Sequence, residues 1–190
     1  MNYRFRFCIP AFVLSIVFAT LTSSLGRAED QAALKIDLAD GKFLMVAPAV
    51  WENVPPKSGI IQYEFKAPKD KKEDTARITI MQATGGIDAN IDRWIGQFEG
   101  VKDSDVKKEK KDITGATVHI VDIAGTYKES MGGGPFAPGK VEKRENYRML
   151  AAIIETKEAG TIFVKMTGPQ ATVEPLAEGF KKSVMEVKSK

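Results

Sequence analysis

The sequence predicts an α+β fold, an antiparallel β-sheet flanked by helices, and three observations carry that prediction. Stretches that alternate apolar and polar residues follow one another across turn residues, the pattern of strands paired with their chain neighbours. Two further stretches, Ile87, Ile91, Trp94, Ile95, Phe98 and Val173, Leu176, Phe180, Val184, Val187, repeat apolar residues at helical spacing and so offer one face each to a sheet. Residues 29–190 contain no internal repeat and no sign of a second domain. Roughly 160 residues are enough for one hydrophobic core.

Residues 1–28 read as a targeting segment. Arg4 and Arg6 form a basic start, Cys8 to Leu21 is largely apolar, and Gly26, Arg27 and Ala28 place small residues at the minus-three and minus-one positions of a cut after Ala28. The apolar run is interrupted by Pro10 and falls short of the ~20 residues that a spanning helix needs. No stable membrane insertion is expected after cleavage, and a retained anchor is the alternative. Cys8 lies at the start of the apolar run, whereas a lipid attachment cysteine would lie at its end. Three of the 28 basic residues and none of the 25 acidic ones fall in this segment, so cleavage leaves 25 of each. A neutral chain lacks the electrostatic footprint of a nucleic-acid binder. The mature chain also lacks cysteine, which fits a periplasmic or secreted protein held together by its core and not by disulfides.

Along the mature chain, Ala32–Leu38 alternates and Phe43–Val46 is apolar, a hairpin turning at Asp40-Gly41. Trp51 precedes Pro55-Pro56, which halts regular structure, and is expected to pack at the sheet edge. Ile60–Phe65 and Ala76–Met81 alternate and should pair antiparallel across the charged turn 69–75. Gly85-Gly86 then open the first helix, where Asp88 is placed to accept a first-turn N–H, and Gly100 is a plausible stop. Its opposite side carries Asn90, Arg93 and Gln97, a solvated face and a candidate binding surface. Val106–Asp112 reads as an exposed strand protected by lysines, and Thr117–Ala124 as a more buried one. Glu129–Glu145, with three consecutive glycines and two prolines, reads as a long mobile loop, and Met131, Gly132, Gly133, Gly134 and Phe136 complete the candidate binding rim. Tyr147–Glu155 and Thr161–Thr167 form a second hairpin turning at Ala159-Gly160. A closing helix follows Gly168-Pro169, with Pro175 placed in its first turn.

This element order, with the stretches IQYEFKAP, ARITIM, IDANIDRWIGQF, YRMLAAI and FVKMTGP, resembles the PsbP-like superfamily over most of Leu34–Val187. The resemblance implies an α/β/α sandwich and a role in binding or assembly, although a fold does not fix a function.

No catalytic constellation is found. His119 stands within the strand TVHIVDIA, and Asp122, three residues on, falls on the opposite strand face, which argues against a hydrolytic triad. A metal site would have to be built almost wholly from carboxylates. The glycines at 132–134 lack the Lys-Ser/Thr and helix of a phosphate loop, and Asp103-Ser104-Asp105 lacks the further ligands of a calcium loop. The sequence therefore predicts a non-catalytic binding or structural module, without cofactor or metal, whose partner is a protein or a small ligand. The alternative is an enzyme with a carboxylate-based site. Intact mass of the exported protein checks the first step: the expected species begins at Glu29, and one retaining Cys8 would restore the anchor.

Overall fold

Ala39, Asp40 and Gly41 take positive φ angles of 52°, 56° and 82°. These three left-handed residues reverse the chain between β1 (Leu34–Leu38) and β2 (Phe43–Ala47), the expected first hairpin. The computed structural model describes residues 34–131 and 140–190. The targeting segment 1–28 and four candidate rim residues, Gly132, Gly133, Gly134 and Phe136, lie outside the described residues.

Ten further α-helices and strands follow β2 among the described residues, and the strands join β1 and β2 in two sheets. These are β3 (Glu52–Val54), β4 (Tyr63–Ala67), β5 (Ala76–Ala83), α1 (Ile87–Ile95), β6 (Lys107–Ile113), β7 (Ala116–Met131), β8 (Lys140–Thr156), β9 (Thr161–Pro169) and α2 (Gln170–Met185), with a last short strand β10 (Lys188–Ser189). The large sheet runs β3-β4-β5-β9-β8-β7-β6 and every neighbouring pair is antiparallel. A small sheet, β1-β2-β10, forms where the chain end returns to pair with β2, a strand that the sequence did not predict. Among the described residues no helix is long and apolar enough to cross a membrane.

Strand alternation sorts the large sheet's side chains onto two faces. Phe65, Ile78, Ile80, Leu150, Ala152, Val164 and Met166 share a core with Val173, Phe180 and Val184 of α2 and with Leu38 and Met45 of the small sheet. Trp51 enters this core, 5.5 Å from Phe65 and 6.3 Å from Phe180 between ring centroids, instead of sitting at the sheet edge. On the other face Val121, Ile123, Met149, Ala151, Ile153 and Phe163 pack against Ile91, Trp94, Ile95 and Phe98.

The register of β7 and β8 corrects the expected 129–145 loop. Pairing continues to Met131↔Lys140, so the residues on both sides of 132–139 are strand, and β7 and β8 extend past the rest of the sheet as a two-stranded ribbon. Between Gly125↔Tyr147 and Tyr127↔Arg144, β7 advances by two residues and β8 by three. The extra residue is a β-bulge in β8, where Asn146 takes φ 54°. Charged residues around it mimic a loop in sequence, because the ribbon is solvated on both sides.

Helix α1 is shorter than expected. It starts from Gly86 with no side-chain cap, so Asp88 does not take that role, and its last helical residue is Ile95, followed by Gly96 and not by Gly100. Beyond it, the Glu99 N–H donates to the Thr126 carbonyl (2.9 Å) and the Lys128 N–H to the Gln97 carbonyl (2.7 Å), which ties this segment to the base of the ribbon. Helix α2 begins at Gln170, which places Pro175 inside it and past its first turn. Trp94 is 3% exposed and meets Phe163 edge-on at 5.4 Å. Trp94→Ala should therefore cost about 3–5 kcal/mol through the cavity it leaves, and the exposed Asp92→Ala about 0.5 kcal/mol or less. Denaturant midpoints check this, and equal losses would place α1 with the wrong face inward.

Candidate functional site

The two strands at the heart of the sheet, ARITIMQA and TIFVKMTGP, are apolar on one face except at Gln82, near the end of the first. On the α1 face they change character halfway along. Met81 and Phe163 lie under α1, but Arg77, Thr79, Lys165 and Thr167 follow them toward the ribbon, paired in register as Arg77↔Thr167 and Thr79↔Lys165. These strands are third and fourth of seven. Polar side chains in the interior of a sheet need a cause, because each must find a hydrogen-bond partner or be left desolvated.

These four residues lie outside the apolar cluster packed under α1. They form the floor of a groove of ≈ 220 Å³, walled by Tyr127 and Glu129 of β7, Tyr147 of β8, and Lys57 and Thr75 of the adjoining loops. The bulge at Asn146 shapes one wall. Because β8 gains a residue there, Arg144 shares a face with Tyr147, so that Arg144 pairs with Glu129 at 2.9 Å while the Tyr127 and Tyr147 rings stack 6.0 Å apart and within 2° of parallel. Gly168 allows β5 and β9 to approach beside the floor, since a Cβ on it would sit 2.7 Å from the Ala76 Cα.

Among the described residues the groove's charges are paired except those of Lys57 on its wall and Lys165 on its floor. Glu64 was expected to alternate away from Phe65 and does so, yet it is buried because Arg77 and Lys57 cover it. Arg77 Nε and Nη2 donate to its two oxygens at 2.7 and 3.0 Å, and the Lys57 backbone N–H adds a third bond at 2.9 Å. The Arg77 guanidinium thereby holds the Glu64 carboxyl below its ordinary range. Glu129 is paired with Arg144. Lys165 pairs with no carboxylate among the described residues. Desolvation, then the positive charges of Arg77 and Arg93, bring its pKa down to about 8. Burial holds both tyrosines above their ordinary value, so they are neutral hydroxyl donors at physiological pH. Thr79, 3% exposed, and Thr167 present buried hydroxyls with no partner among the described residues.

The residues singled out from sequence divide around this groove. Arg93 is exposed on α1 and acts on Lys165 through its charge. Asn90 is corrected: it is 5% exposed, its Nδ2 donates to the Gly86 carbonyl (2.9 Å) and its Oδ1 accepts from Arg93 (2.7 Å), so it fastens the helix start and is no part of a solvated face. Gln97 is half-buried, with a buried Oε1 that has no partner among the described residues. Met131 is exposed at the far end of the ribbon and does not line the groove. His119 lies on the α1 face near a separate depression, with Nε2 3.9 Å from Glu155. Sequence reasoning missed Thr79, Lys165 and Thr167. Their signal was available as polar residues at alternate positions of two otherwise apolar strands.

No family model matches the sequence, and no curated protein matches it. Among solved structures, the chain is similar to the solution structure of cyanobacterial PsbP (CyanoP) from Synechocystis sp. PCC 6803, with a TM-score of 0.52 at 12% identity over 89% of this chain and 99% of that one. A crystal structure from Bacteroides thetaiotaomicron VPI-5482 aligns with a TM-score of 0.41 at 12% identity over 84% of this chain and 49% of that one. The fold is PsbP-like.

Lys165 generates a stability prediction. Its pKa is lower in the folded state than the ordinary 10.5, so at pH values below about 8 the fold carries the full cost of a desolvated cation. That cost fades as pH rises from about 8 toward 10.5, because the folded state sheds its proton first. Lys165→Met, which keeps the apolar stem, should therefore stabilise the protein by about 1–3 kcal/mol at pH 7 and by less at pH near 10. Thermal midpoints of both proteins across this range measure the difference, and a pH-independent gap would show that Lys165 is well solvated.

Proposed function

We propose that the chain is an exported, non-catalytic binding module whose ligand occupies the groove between α1 and the β7–β8 ribbon. The observation that carries this reading is the buried, unpartnered Thr79 hydroxyl on the groove floor beside Lys165, since a desolvated donor and a desolvated cation both lower stability unless they meet a ligand. The carboxylates that an acid–base mechanism would need support the same reading. Glu64 and Glu129 are each tied to an arginine, which leaves neither free to exchange protons. Export, to the periplasm or beyond, rests on the targeting features of residues 1–28 and the cysteine-free remainder. We read α2 with the small sheet, and α1, as the outer layers of an α/β/α sandwich, with α1 the incomplete one. The partner that the module serves is then a small ligand before it is a protein.

A thermal-shift screen of small polar compounds tests the site. Compounds that stabilise the wild type should lose most of that effect on Thr79→Val and Lys165→Met, because a ligand raises stability only through the contacts it makes in the native state. Hits that stabilise all three proteins equally would move the binding site away from the groove.

A further inference from the structure

Resting on that reading of the groove, the question is what chemistry it selects. The groups available to a ligand are almost all donors. Lys165 offers its ammonium, Thr79 and Thr167 their hydroxyls, and Tyr127 and Tyr147 their phenols, while Arg77 has Nη1 left over once Nε and Nη2 are given to Glu64. Glu129 is the acceptor among them, and Arg144 already occupies it. A polar end that accepts hydrogen bonds suits this groove, because Lys165 and the Arg77 Nη1 can only donate and the hydroxyls can donate too.

Charge counting sets its valence. On the walls Glu129 shares Arg144 with Glu142 and Lys57 has no carboxylate partner among the described residues, while on the floor Arg77 pairs with Glu64 and Lys165 is left uncompensated. One negative charge balances it. A phosphate dianion would instead bring a second negative charge next to Glu129, at a cost that grows in so enclosed a site. Size and walls set the rest. A volume of ≈ 220 Å³ corresponds to about seven waters. Stacked aromatic rings on one wall favour a flat apolar body.

We propose that the groove binds a small monocarboxylate with a flat, apolar body, its carboxylate seated on Lys165, Thr79 and Thr167 and its body against Tyr127 and Tyr147. β5 and β9 hold the three residues in adjacent register, and a small side-chain rotation turns the buried threonine hydroxyls to the bound carboxylate. This seat also accounts for the cost that the fold carries there, because the bound carboxylate supplies the partner that Lys165 and both threonines lack. The groups around Lys165 are Lys57 from the loop before β4, Arg77 from β5, Arg93 from α1, Tyr127 and Glu129 from β7 and Tyr147 from β8, with Glu64 behind Arg77. With the cations outnumbering free carboxylates around it, a bound anion raises the lysine's affinity for its proton, so binding weakens as pH rises above about 8.

Benzoate, benzamide and inorganic phosphate, titrated into the mature protein with tyrosine ring resonances as the site readout, test the proposal. Benzoate should shift Tyr127 and Tyr147 and bind at least about tenfold more tightly than benzamide, which keeps its shape and loses its charge. Lys165→Met should weaken benzoate at least about tenfold and Thr79→Val by a smaller factor, with both variants folded by their thermal midpoints. Benzamide binding as tightly as benzoate, with the same tyrosine shifts, would overturn the carboxylate assignment and leave the groove as the ligand site. Phosphate binding more tightly than benzoate would overturn the single-charge argument. If none of the three moved the tyrosines at about 10 mM, the proposal and the reading of the groove as a site would both fall.

Discussion

A seven-stranded sheet cannot be covered by a nine-residue helix, and the functional architecture follows from that mismatch. Six inter-strand spacings make the sheet about 29 Å wide, whereas α1 is about 14 Å long and about 10 Å across, so it spans at most about half of the sheet's width. The opposite face has α2 and a second sheet to close it over a large apolar cluster, with Arg148 and Asp122 paired beside it. Where α1 lies, the sheet beneath it is Met149, Ala151, Ile153 and Phe163. On the same face β5 and β9 present Arg77, Thr79, Lys165 and Thr167, the last two beside Ala151 and Met149 in register. The boundary between core and site runs between neighbouring strands.

The bent ribbon completes the arrangement. Without the bulge at Asn146, Arg144 would point to the other face, Glu129 would be an uncompensated carboxylate beside the groove, and the electrostatic bias toward an anion would weaken. The segment after α1 holds the ribbon in place through the Phe98–Tyr127 contact at 5.3 Å and the Lys143–Glu99 pair at 2.7 Å. One wall of the groove is thus fixed by the same residues that terminate the helix, which couples the stability of α1 to the shape of the site.

Much of the fold was legible because its signals are local. The left-handed turn at Asp40-Gly41, the stripe Ile91, Trp94, Ile95, Phe98 and the turn at Gly160 each follow from a few adjacent residues. The site was not, because its meaning is non-local. In sequence, Lys165 looks like any outward lysine of an alternating strand, and it becomes unusual only once β9 is placed fourth of seven, between β5 and β8. Asn90 misled in the opposite sense: a polar residue on a helix's far side reads as solvated, while here it turns back to bond the Gly86 carbonyl. Charged residues at 140–145 suggested a loop, since a solvated ribbon and a loop share a composition.

The central claim is that Lys165 is a desolvated cation awaiting a counter-ion, and its own titration tests this most directly. With lysine labelled at the ε-carbon, the resonance assigned through Lys165→Met should titrate near pH 8 in the free protein and move upward when benzoate is present. Titration in the ordinary lysine range in both states would contradict the account, because the groove floor would then be solvated and carry no selectivity for an anion.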